Sequence, residues 1–371
     1  MPATSSRQSV PPKARGEPTE ADEARTVRRR RAIAASVLVF AAAAVALVIV
    51  VATVGGGAHV KRAPTAAGVG RGTSAHASSA RKSAPGPFAV GLRVLRLVDH
   101  TRTMTLPGGR SQPRTLVTYV RYPALGRPGQ ADLPNAPPAG ADGPFPLVVF
   151  GHGFAQTPAL YQLLLQSWVR AGYVVAAPVF PLENADAPGG PDESDLTNQP
   201  ADMSFVISSL LAESSAKAGP LAGLLDTREV AVAGHSDGGD TALATAYDPA
   251  YRDGRVKAAV ILSGAEIPGT LTSGFPLSGP PLLATQGTAD TINPPSATYA
   301  FYEAAHRPKF LLRLLGADHL GPYSNKQPQL GIVERVTTAF FDIYLKHKTV
   351  ALTRLAVAGN VPRVASLTSE P

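Results

Sequence analysis

The 371-residue chain has no cysteine. That excludes a disulfide framework, a zinc ribbon, an iron–sulfur cluster and a thiol nucleophile. Basic charge is also missing where a nucleic-acid binder would need it. The formal net charge is +8, but residues 1–86 hold 13 Lys+Arg against 4 Asp+Glu, and residues 87–371 hold 22 against 23. With a balance of −1, the C-terminal part has no general electrostatic footprint for nucleic acid. There is no 20–50-residue repeat and no P-loop, and Gly68-Val69-Gly70 has no strand before it, so a dinucleotide reading fails on context.

One long apolar run is present. Residues 32–54 are 23 residues without a charge, enough at 1.5 Å per residue to cross a hydrocarbon core about 30 Å thick. The run exceeds the h-region of a cleaved signal, and the best A-x-A site, Ala75-His76-Ala77, lies far beyond it. An uncleaved signal anchor is therefore expected. Arg28, Arg29, Arg30 and Arg31 abut its N-terminal end, which places the N-terminus in the cytoplasm and the rest of the chain outside it, as a single-pass protein of the cell membrane. Residues 1–31 read as a disordered basic leader, and 55–86, Gly/Ala/Ser-rich with five basic and no acidic residues, as a flexible tether.

From residue 87 the texture is that of an α/β domain. Residues 90–98 and 115–122 alternate like half-buried strands. Residues 146–150, 174–178, 230–233, 258–262, 281–285 and 310–315 are nearly continuous apolar runs, as buried parallel strands are. Helical spacing of apolar residues falls at 159–171, 200–212, 238–247, 296–305 and 330–346. The expectation is one domain, 87–371, with a mostly parallel eight-stranded sheet and flanking helices. Only about 17 residues, 264–280, separate the strand at 258–262 from Pro281, so no large cap domain is expected.

Reactive residues collect where strands end. Gly234-His235-Ser236-Asp237-Gly238-Gly239 follows an apolar strand and precedes a helix, the context a G-x-S-x-G nucleophile elbow requires. A serine hydroxyl needs a base held by an acid, in the chain order Ser, Asp/Glu, His. Three histidines follow Ser236. His306 and His347 sit near helix ends and read as surface residues, whereas His319 lies in a loop just past the final apolar strand. For the acid, Asp290 follows the strand at 281–285, ahead of Glu266 in an earlier loop and of Asp318 beside His319. Two N–H donors for an oxyanion are expected from the main chain of Asp237 and of Phe154, the latter in Gly151-His152-Gly153-Phe154. His152, Gly153, Gly234 and Gly238 are read as shaping these turns, with His235 packed beneath the elbow. Tyr161 and Trp168 read as core. The loop 181–199 holds Glu183, Asp186, Asp192, Glu193 and Asp195; it reads as a solvated surface loop rather than a lid, and without EF-hand spacing no metal is expected.

With these residues in place, the chain over roughly 88–347 resembles the α/β-hydrolases. Within that superfamily it is similar to the Ser-type dienelactone-hydrolase-like, chlorophyllase and acetylhydrolase-type esterases. Asn198-Gln199-Pro200-Ala201-Asp202 and Ser204-Phe205-Val206 are similar to a helix start in those relatives. True dienelactone hydrolases carry Cys where Ser236 stands. The resemblance implies cleavage of a carboxylic ester, of small-molecule or lipid-like substrates, with no cofactor. A serine peptidase, an acyltransferase or a non-catalytic binding module on the same scaffold are the alternatives.

Overall fold

Strands whose side chains are apolar on both faces must be covered on both faces, and the chain supplies helices to do so. The computed structural model describes residues 87–266, Gly274 and 276–371. The leader 1–31, the apolar run 32–54 and the tether 55–86 lie outside the described residues. Among the described residues, no helix is long and apolar enough to cross a membrane. Part of 264–280 also lies outside them.

Among the described residues, ten strands form one mixed sheet. They are β1 (Ala89–Thr105), β2 (Ser111–Ala124), β3 (Leu133–Pro134), β4 (Phe145–Gly151), β5 (Val174–Val179), β6 (Leu225–His235), β7 (Val256–Leu262), β8 (Leu282–Gly287), β9 (Lys309–Leu314) and β10 (Ala365–Glu370). Their spatial order is β10-β9-β8-β7-β6-β4-β5-β2-β1-β3. The pairs from β5 through β4, β6, β7 and β8 to β9 are parallel. β2 runs antiparallel to both β5 and β1, and β10 runs antiparallel to β9.

The expected eight strands are thus corrected to ten, and the two additional ones are the two edges of the sheet. An edge strand is hydrogen-bonded on one side only and needs no apolar run. β3 has two residues, and β10 reads Ala-Ser-Leu-Thr-Ser-Glu. The hairpin β1–β2 also reaches beyond the segments that alternate, through the pairing of Thr103, Met104 and Thr105 with Pro113, Gln112 and Ser111.

Side chains of the central strands alternate between two cores. Leu147 and Val149 of β4 and Val230 and Val232 of β6 pack with Val206, Ile207 and Leu243. Those residues belong to α2 (Gln199–Ser215) and α3 (Asp237–Tyr247), which share this face with α4 (Pro295–Ala304). On the other face Val148, Phe150, Ala231 and Ala233 pack with Leu164 and Trp168 of α1 (Gln162–Arg170) and Phe340 of α6 (Gln329–Tyr344). A short helix α5 (Gly321–Ser324) and a helix α7 (Ala351–Gly359) complete the described helices; neither stands out by apolar spacing in the sequence. All 11 residues of α3 are buried, so the helix behind the elbow has no solvent face.

One polar link inside this frame governs the loop 181–199. Arg114 of β2 is 1 % exposed. Its guanidinium donates to both carboxylate oxygens of Asp202, at 2.7 and 2.6 Å, and of Asp195, at 2.8 and 2.7 Å. Asn198 Nδ2 adds a bond to Asp195 Oδ1 at 2.8 Å. A planar fork meeting two carboxylates bidentately is arginine chemistry. It fastens the turn before α2 and the first turn of α2 to the sheet. The loop is therefore no freely solvated segment: Glu183, Asn184 and Asp195 are buried.

Removing Arg114 would leave the buried Asp195 carboxylate without its cation and Asp202 with only the partly exposed Arg102, 2.8 Å away. Arg114→Met should lower the stability of the domain by about 3–5 kcal/mol in urea unfolding. Adding Asp195→Asn and Asp202→Asn should recover part of the loss; an Arg114→Met protein as stable as the parent would contradict the role given to the cluster.

Candidate active site

Ser236 sits between the end of β6 and the start of α3 with φ 53° and ψ −126°. A non-glycine residue rarely adopts positive φ, and the strain persists only where neighbours over-determine it. Here the crossing of strand and helix does so. A Cβ on Gly234 would run into the carbonyl of Gly238, and one on Gly238 into the main chain of Gly151 at the end of β4. Ser236 N–H donates to the Leu262 carbonyl at 3.0 Å, and its own carbonyl accepts from Asp240 N–H at 3.0 Å. The hydroxyl is held only weakly: Oγ lies 3.5 Å from Asp237 Oδ1, the outer limit of a hydrogen bond.

Asp290 and His319 meet. His319 Nδ1 lies 2.7 Å from Asp290 Oδ2, with Asp290 4 % and His319 8 % exposed. Asp290 stands in the turn after β8, where its Oδ1 accepts from the N–H groups of Ile292 and Asn293 at 2.9 and 3.0 Å. Gln286 Nε2 donates to Oδ2 at 3.1 Å. A carboxylate oriented by these donors can hold the Nδ1–H tautomer of the imidazole, which leaves Nε2 as a base. The competing carboxylates are engaged elsewhere. Asp318 is paired with Lys326 at 3.0 Å and accepts from the main chain of Leu320 and Gly321. Glu266 accepts from Gly274 N–H at 3.2 Å. His306 is exposed, and His347 bonds Glu229 at 3.0 Å on the surface.

Phe154 lies in the turn after β4, beside the elbow: a Cβ on Gly153 would stand 3.1 Å from Ser236 Cβ. The flanking amides are committed, Gly153 N–H to Tyr161 Oη at 3.2 Å and Ala155 N–H to the Glu183 carbonyl at 3.0 Å. Among the described residues, Phe154 N–H has no acceptor of its own. Asp237, whose main chain opens α3, is 2 % exposed. His152 has both ring nitrogens on main chain: Nε2 accepts from Phe180 N–H at 3.0 Å, and Nδ1 donates to the Gly153 carbonyl at 2.9 Å. Burial lowers its pKa to about 4, so it stays neutral and fixes the turn.

Two buried groups join the site that sequence reading did not assign to it. Tyr161, read as core, is fully buried, yet its hydroxyl lies between Gly153 N–H and His235 Nδ1. Glu183 lies beneath the elbow, bonded to Gln199 Nε2, whose Oε1 accepts from Thr241 at 2.8 Å. Burial first, and the neighbouring Asp237 carboxyl second, push the Glu183 carboxyl well above the ordinary carboxylate range. No local pattern marks either residue, because each acts through partners far along the chain. Trp168 is core, with its indole N–H on Thr337 Oγ1 at 2.8 Å.

Residues 133–264 match the family model described as Chlorophyllase. Over that stretch the chain is α/β-hydrolase-like. The match runs from β3 to just past β7 and includes the turn at Phe154 and the elbow at Ser236. Asp290 and His319 lie beyond it, so their pairing is a finding of the fold alone. No curated protein matches the chain. The family is one of esterases, and over the matched residues the chain is similar to a hydrolase.

If Asp290 supports His319, Asp290→Asn should lower ester turnover by about 10³–10⁴. Glu266→Gln and Asp318→Asn should change kcat by less than about tenfold, with circular dichroism showing all three folded. A collapse in Glu266→Gln beside a nearly normal Asp290→Asn would move the acid to the earlier strand.

Proposed function

We propose that the protein is a serine hydrolase of carboxylic esters that acts through an acyl-enzyme on Ser236, with small-molecule or lipid-like esters as substrates. The observation that carries this reading is the buried Asp290–His319 pair at 2.7 Å, on loops at the same end of the sheet as a serine held at positive φ. The match to a family of esterases supports the same class.

The steps follow from the groups present. Ser236 Oγ attacks the ester carbonyl carbon while His319 Nε2 takes the hydroxyl proton. Asp290 stabilises the imidazolium through Nδ1–H, and the N–H groups of Phe154 and Asp237 face the developing oxyanion. Collapse of the tetrahedral intermediate breaks the ester C–O bond, and His319 gives its proton to the departing alkoxide. Water then attacks the acyl-enzyme with His319 again as base, releasing the acid and restoring Ser236. No cofactor enters this sequence. Ser236→Ala should fold and lose at least about 10³-fold in turnover of p-nitrophenyl esters; undiminished turnover would sink the mechanism.

We infer from the sequence that residues 32–54 anchor the enzyme in the cell membrane, that 55–86 tether it, and that the hydrolase domain faces away from the cytoplasm. The uncharged length of the run and the four arginines before it support this orientation. A chain beginning at Ser83 should be soluble and keep its activity on small esters, whereas the full chain should sediment with membranes. Full-length protein in the soluble fraction would remove the anchor from the account.

A further inference from the structure

We propose that His235 is a positioning residue which locks the main chain of the His319 loop onto the nucleophile elbow. The inference rests on the reading of Ser236, Asp290 and His319 given above. The elbow follows β6 and the His319 loop follows β9, with β7 and β8 between them. Asp290 orients the His319 ring, but from the end of β8 it does not tie that loop to Ser236. A direct link from that loop to the elbow comes from the residue before Ser236. His235 Nε2 lies 2.8 Å from the His319 carbonyl oxygen.

The protons on this contact can be assigned. A carbonyl only accepts, so His235 Nε2 carries the hydrogen and Nδ1 is left as an acceptor. Its donor is present: Tyr161 Oη lies 2.9 Å from Nδ1, and the same oxygen accepts from Gly153 N–H at 3.2 Å. Donation therefore runs one way, from Gly153 N–H to Tyr161, from Tyr161 O–H to His235, and from His235 N–H to His319. The chain joins the oxyanion turn, the elbow and the base loop through two side chains that are 0 % and 2 % exposed. Ring contacts hold the same residue from the side. The His235 ring centroid is 4.6 Å from that of His319 and 5.0 Å from that of Tyr323. Burial, and then the neighbouring His319, keep His235 well below the usual imidazole range, so the assigned neutral form is the one favoured.

A buried histidine could serve packing alone, and the two roles separate on the Nε2 hydrogen bond. His235→Phe keeps a ring against His319 and Tyr323 but has no donor. His235→Gln loses the ring but places an amide N–H at similar reach. In the full chain, with p-nitrophenyl acetate, His235→Phe should lower kcat by about 100-fold with KM changed less than about threefold, as for a base displaced by about 1 Å. His235→Gln should recover to within about tenfold of the parent. Tyr161→Phe removes only the distal link and should lower kcat by about tenfold; it carries the test if His235→Phe does not fold, as judged by circular dichroism. A folded His235→Phe enzyme with the parent's kcat would overturn the proposal, as would His235→Gln no better than His235→Phe, or an unchanged Tyr161→Phe. Ser236→Ala in the same series separates the two levels. Turnover surviving in Ser236→Ala refutes the site itself, whereas a dead Ser236→Ala beside a fully active His235→Phe refutes only the positioning role.

Discussion

The crossing of β6, α3 and β4 at Gly234, Gly238 and Gly151 is the constraint from which the rest of the site follows. A strand and a helix that approach without side chains between them leave the residue at the bend no ordinary conformation, and Ser236 takes φ 53° there. Such strain holds only if the helix cannot shift, and α3 is buried along its whole length. The sheet core around Val149, Val232 and Ile261 is in this sense part of the chemistry. It fixes the main chain of one serine.

Around that point the loops are fastened by buried polar links rather than by apolar contact. Asn293 Nδ2 donates to the Ser263 carbonyl at 2.7 Å, joining the turns after β8 and β7. Tyr323 Oη meets Ser263 Oγ at 2.9 Å and Thr285 Oγ1 at 3.0 Å, bringing in α5. Arg114 does the same on the far side by holding Asp195 and Asp202, and with them the loop that carries Glu183. Removing one partner of such a link leaves the other buried and unsatisfied, so these loops have few alternative arrangements. Preorganisation of donors and of the base is what a serine hydrolase requires of its scaffold.

Much of this was legible in the sequence because the relevant signals are local. The elbow is six consecutive residues bounded by an apolar strand and a helix, and Asp290 and His319 each stand in a turn directly after an apolar strand. The central strands are legible for the same reason: burial on both faces makes most of their residues apolar. What escaped depends on distance along the chain. The edges β3 and β10 need no apolar pattern. Tyr161 and His235 are 74 residues apart, and His235 and His319 are 84 apart, so neither bond has a sequence signature. The loop 181–199 looked solvated because its carboxylates were counted without the arginine 81 residues away that buries one of them.

The central claim is that Ser236, unlike the other serines among the described residues, is made nucleophilic by this arrangement. Reaction of the full-length protein with a fluorophosphonate, followed by peptide mass mapping, tests it most directly. The account predicts a single phosphonyl adduct per chain, on Ser236, with nearby Ser263 unmodified. No adduct, or an adduct on another residue while Ser236 stays free, would contradict it.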